Sequence, residues 1–252
     1  MRWNILISLL ILLSAVSPTA YRIVQEQLGR YRYGDTPKQA PINPASRLRD
    51  NSGRAPCRDC DFAHADLRGK DFSRRNFRAA NLAAANLTKA QLINTVLHQA
   101  NLQGADLYQA SLQGADLSDA NLTRANLSQA QMLHASLVRA NLQGATVSQA
   151  ELRDAALCSA QLNQADLSEA SLYGAILRQA DLSGADLRGA DLRYADLYQA
   201  DLSNADLTGA RLEYATMPDG STDNPGYLHS EHPSLGCEPV PPDPDLQSHG
   251  PS

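Results

Sequence analysis

The sequence predicts an all-β fold: a four-sided parallel β-solenoid (β-helix) of about eight coils over residues 55–217. Three observations predict it. Every fifth residue from Phe62 to Met217 is apolar, without a break, and most are Leu. The residue two before each of these is Ala from Ala80 to Ala215, Thr95 excepted. The residue between the two is usually Asp, Asn, Ser or Gln, so the consensus reads Ala-(Asp/Asn)-Leu-x-x.

A period of five fits neither simple element. Five residues advance a helix by about 500°, which smears the Leu set around the axis. In a flat strand an odd spacing alternates faces. A chain that turns a corner every five residues satisfies the pattern. Four such sides make a coil, with Leu and the preceding Ala pointing inward and the other three residues facing solvent. Coils stacked at the strand-pairing distance would give a rod roughly 38 Å long. Asp or Asn beside the Leu can bond local backbone at each bend. Gly recurs two residues after the Leu, at Gly104, Gly114, Gly144 and Gly184, a slot expected to visit positive φ.

The elements before and after the repeat read as follows. Residues 1–20 have a positive start at Arg2, an apolar run from Ile5 to Val16, and small residues around Pro18. That is the plan of a secretory signal, and the run is short for a spanning helix. A cleaved signal, an uncleaved membrane anchor and a buried apolar strand are the readings in that order; the first two imply export to a periplasm, lumen or exterior. Residues 21–54 carry scattered Gly, Pro and Arg with no period and read as a linker. Residues 218–252 open with the breaker Pro218-Asp219-Gly220 and continue Pro-rich and acidic, as in Pro239-Val240-Pro241-Pro242-Asp243-Pro244; they read as a poorly ordered tail.

Composition narrows function. The formal net charge is -5, aromatics make up 5%, and no Lys or Arg follows Met217. A basic stripe for nucleic acid is lacking. No loop interrupts the repeat where a catalytic solenoid would carry one. His64, His98 and His134 fall on different sides and coils, so no Ser-His-Asp set can be assembled. No catalytic, cofactor or metal residues are assigned.

Runs such as Ala185-Asp186-Leu187-Arg188-Gly189 and Ala205-Asp206-Leu207-Thr208-Gly209 resemble the pentapeptide-repeat family closely. The resemblance covers residues 60–217 and implies a right-handed quadrilateral β-helix. Cys57-Arg58-Asp59-Cys60 looks like the Cys-x-x-Cys lead-in of cyanobacterial-type members. One branch of that family mimics DNA and protects gyrase in the cytoplasm; the export-type start and the Pro-rich tail set this chain apart from it.

Several positions depart from the consensus. Cys57 and Cys60 fall in inward slots and read as end-capping core residues or as a local disulfide; zinc would need further ligands. Lys70 and Arg75 stand where Ala is the rule, and snorkelling out of an open first coil would spare a buried charge. Asp166, Asp186 and Asp206, like Asp181 and Asp201, lie 20 residues apart and would form ladders, read as turn caps first and as a weak cation strip second. On the third and fourth sides, outward slots hold Ile93, Leu133, Tyr173, Arg193, Tyr194, Tyr198, Arg211 and Tyr214, with Val96, Val138 and Ile176 among them. Tyr and Arg clusters of this kind are enriched in partner surfaces. The expectation is therefore a non-catalytic, exported scaffold binding an unknown protein partner, with a DNA mimic and an Asp-ladder cation surface as alternatives. Membrane contact would come only through residues 5–16, and the oligomeric state is left open.

Overall fold

The computed structural model describes Cys57, residues 60–222 and Cys237. The signal-type segment, the linker and the tail beyond Thr222, Cys237 apart, lie outside the described residues. The chain divides into two units, Met1–Ser46 and Arg47–Ser252, and everything below concerns the second.

Each five-residue unit takes the same local path. Leu begins a turn closed by the N–H of the third residue on, as in Ala85 N–H to the Leu82 carbonyl at 3.1 Å. Within the repeat, positive φ occurs only at the second residue after the Leu, as type II turns require. It holds at every such slot from His64 to Tyr214, between 52° and 72°, and most of these residues are not glycine. The turn is braced by the residue before the Leu. Its side-chain oxygen accepts the N–H two residues on, as Asp71 Oδ1 does from Ser73 at 2.9 Å and Asp201 Oδ1 does from Ser203 at 2.9 Å.

Successive coils are joined by parallel bridges between residues 20 apart, from Asp61 with Asn81 to Asp196 with Thr216. Leu67 N–H donates to the Asn86 carbonyl at 2.8 Å and Asn86 N–H to the Ala65 carbonyl at 2.9 Å, and this exchange recurs at every side. The left-handed residues bond the next coil too, as Asn94 N–H does to Gln113 at 2.9 Å. These bonds offset the cost of non-glycine residues at positive φ, about 1–2 kcal/mol each.

The expectation of a β-solenoid, a right-handed parallel β-helix, is corrected by this geometry. Among the described residues no pairing extends beyond a single bridge residue, and no strand, sheet or barrel is formed. The cause lies in the unit itself. Two of its five residues are the turn, and the Leu and Ala on either side close it. One residue is left to pair, so consecutive ladder residues never accumulate. The chain is a stack of turns with a 20-residue period, and residues 20 apart are referred to below as a column.

The interior is a single file of Leu flanked by Ala, from Phe62 to Ala200, nearly all without solvent contact. Thr95, in an Ala slot, is fully buried, and its hydroxyl donates to the Phe72 carbonyl at 2.9 Å. In the first coil Phe72 meets Phe77 edge-on at 5.3 Å, and Phe62 meets Phe77 at 5.8 Å. Lys70 is exposed and Arg75 half-buried, while Cys57 and Cys60 form a disulfide. At the other end Leu202, Leu207, Leu212 and Met217 are only half-buried. The chain then reverses: Thr216 pairs antiparallel with Thr222 across a turn closed by Gly220 N–H on the Met217 carbonyl.

Candidate interaction face

The third side points Phe72, Leu92 and their successors to Leu212 inward, and the fourth does the same with Phe77, Leu97 and their successors to Met217. In the last three coils outward residues make contacts within each of these two sides. Tyr173 and Tyr194 lie with ring centroids 5.1 Å apart, and Tyr194 stacks on Tyr214 at 4.9 Å with planes 22° apart. The Arg193 guanidinium sits 5.3 Å from the Tyr173 ring centre, and that of Arg178 sits 5.0 Å from Tyr198. Both distances are in cation–π range.

The arginines are held by carboxylates. Arg193 forks onto Asp191 through Nε at 2.8 Å and Nη2 at 2.6 Å, with Arg211 at 3.9 Å from the same carboxylate. The Arg193 hydrogen bond keeps the Asp191 carboxyl below its ordinary range. Arg178 lies 3.8 Å from Asp196.

Two rings stand out. Tyr194 and Tyr214 are 39% and 44% exposed, the large apolar side chains most open to solvent among the described residues. Both occupy left-handed slots, at φ 61° and 64°, where the preceding residue of the column is Gly174. The same slot holds Arg124, Gln129, His134 and Arg139 in earlier coils, so it is the exposed rings and not the backbone that set these two positions apart.

Not every predicted residue joins the cluster. Ile93 and Leu133 share the column of Tyr173 but lie four and two coils before it, separated from it by Gln113 and Arg153. Tyr198 pairs with Arg178 on the adjacent side. On the fourth side four consecutive members of one outward column, His98, Ser118, Val138 and Cys158, are buried, while Arg78, Arg178 and Tyr198 of that column are half-exposed. Cys158 forms a disulfide with Cys237, 79 residues on. Sequence reasoning missed this pairing, because nothing local to either cysteine marks its partner.

The late Asp ladders are taken up by the stack. Asp166, Asp181, Asp186, Asp201 and Asp206 each accept the N–H two residues on. Among the described residues no three His, Cys, Asp or Glu are grouped to hold a metal ion, and no helix is long and apolar enough to cross a membrane.

The family model for "Pentapeptide repeats" matches residues 55–90, 76–114, 115–154, 150–189 and 185–219. The chain belongs to the pentapeptide-repeat family. HetL, a pentapeptide repeat protein involved in heterocyst differentiation regulation from the cyanobacterium Nostoc sp. strain PCC 7120, is 34% identical; the likeness covers 66% of this chain and 88% of that one, with TM-score 0.44. A pentapeptide repeat protein from the Arabidopsis thaliana thylakoid lumen is also 34% identical, over 37% of this chain and 69% of that one, with TM-score 0.30. QnrB1, a plasmid-mediated fluoroquinolone resistance protein, is 17% identical over 63% of this chain and 91% of that one, with TM-score 0.42. No curated protein matches the chain.

Proposed function

We propose that this pentapeptide-repeat protein is exported and binds a protein partner through the Tyr173–Tyr194–Tyr214 ladder at the late end of its third side. The observation that carries the reading is the pair Tyr194 and Tyr214, exposed and held at positive φ. A large ring left open to solvent, with no core to fill, suits a surface that meets a partner. Tyr is a favoured binding hot spot because a ring buries much area and loses little entropy. Arg193 and Arg211 beside it supply donors for a partner's carboxylates or carbonyls. The stack supports the ladder from below, since each ring stands on a coil fixed by bonds to its neighbour. Export is supported by the order of charge, apolar run and small residues in positions 1–20.

The test is quantitative cross-linking capture from membranes and periplasm with full-length protein and the Tyr194→Ser/Tyr214→Ser variant. The partner cross-linked to wild type should fall at least roughly tenfold, as loss of a hot spot implies. Undiminished capture by a variant with unchanged circular dichroism would sink the reading. Sequencing the mature N-terminus tests export.

A further inference from the structure

The fourth side presents outward residues that are not exposed. Val138 is 4% exposed although its column neighbours, Ser118 and Cys158, are small. Ser118 itself is 1% exposed, whereas Ser128, Ser148 and Ser168 in the equivalent column of the second side are all half-exposed. His98 is 9% exposed, and its Nδ1 has no hydrogen-bond partner; the nearest carboxylate, Asp119, is 3.7 Å away and already grips Arg139. The buried run of the column ends at Cys158, and Cys158 is bonded to Cys237. In the adjoining column Val96, Ala156 and Ile176 are interspersed with Asp116, Ser136 and Asp196, and this side still carries the most apolar outward residues of the four.

We infer that the fourth side is the docking site of the chain's own C-terminal segment, beginning at Glu238 and pinned there by the Cys158–Cys237 disulfide. Length and chemistry fit. Glu238–Pro244 contains four prolines and would extend about 22 Å as polyproline II. The coils from Cys158 back to Arg78 span about 19 Å. Such a segment has few internal hydrogen bonds to lose and suits an apolar strip. Its acids, Glu238, Asp243 and Asp245, face a column that begins with Arg78 and holds His98, with Arg139 alongside; after Met217 the chain has no Lys or Arg to oppose them. The tether raises the local concentration of the segment to the millimolar range, so a weak contact suffices. The third-side ladder is then the surface left open to a partner.

Histidine acylation by diethyl pyrocarbonate tests this in the full chain. His64 and His134 are exposed and serve as internal standards. In wild type His98 should react far more slowly than either. In Cys237→Ser the pin is lost and only the chain after Thr222 tethers the segment, so His98 should react at least about twofold faster, while His64 and His134 keep their rates and report an intact stack. An unchanged His98 rate in that variant would overturn the inference, as the cover would then be the stack's own side chains. A photo-reactive residue at Val240 in otherwise wild-type protein gives a second reading. Cross-links to the fourth-side stretches 95–99, 115–119 and 135–139 of the same chain support docking; cross-links to the first or second side, or to another copy, overturn it. Neither result bears on partner capture by Tyr194 and Tyr214.

Discussion

At the first coil Phe62, Phe72 and Phe77 close the interior edge to face, and Cys57–Cys60 crosses the end. At the last coil Leu202, Leu207 and Leu212 keep the consensus and stand half-buried, with the tyrosine ladder beside them. The two ends depart from the repeat in different slots. The first changes inward positions, where large rings replace Leu and fill space. The last keeps Leu at its inward positions, Met217 excepted, and changes outward and left-handed ones, where a large ring gains nothing for the core. An inward departure is thus explained by packing, while an outward ring open to solvent needs another reason.

Truncating each end separates the two cases most sharply. Phe72→Ala should cost about 3–5 kcal/mol, the usual range for a buried ring. Leu212→Ala, half-exposed already, should cost about 1–2 kcal/mol. Denaturant midpoints at constant slope would show it. Each coil touches only its neighbours, so losses stay near the altered end. Equal costs at both ends would mean that the last coil is sealed as well as the first, and the contrast would fail.

The left-handed tyrosines give a smaller and more telling effect. Asn adopts positive φ at less cost than Tyr. Tyr194→Asn and Tyr214→Asn should therefore leave stability unchanged or raise it by up to about 1 kcal/mol, while partner capture falls. A stability loss above about 1 kcal/mol in thermal melts would show that the stacked rings hold the last coil together, making them packing residues after all.

The sequence shows some of this and hides the rest for physical reasons. The register is legible because Leu and Ala are the side chains the interior best admits, so burial imprints a period of five from Phe62 to Met217. The absence of strands is not legible from apolar spacing. It depends on how many of the five residues the turn consumes, and positive φ at non-glycine residues such as Gln129 and Arg139 leaves no mark in composition. The tyrosines of the face could be found because 20-residue columns bring Tyr194 and Tyr214 together. The burial of His98 and Val138 could not, and neither could the Cys158–Cys237 link across 79 residues.

Charge offers the finest comparison of the two ends. In the first coil the Asp66 carboxylate is forked by Arg68, at 2.8 Å to Nε and 2.7 Å to Nη2, which holds its pKa down to about 2. In the last coil Asp206 is lowered by the neutral hydroxyl and N–H of Thr208, at 2.6 Å and 2.9 Å. Both carboxylates ionise more readily folded than unfolded. Their contribution is therefore present above the unfolded value, near 3.9, and is lost as pH falls through the folded one. Carbon-13 titration of the folded protein should place Asp66 near 2, and Arg68→Ala should return it toward 3.8. Asp206 should stay where it is in that variant. Added salt should raise the Asp66 midpoint more than that of Asp206, whose largest partner is the neutral Thr208 and whose charged neighbour, Arg188, stands 3.8 Å away. If Asp66 titrated near 3.8 in the wild type, the exposed fork would be no stronger than solvent, and charge would no longer distinguish the two ends.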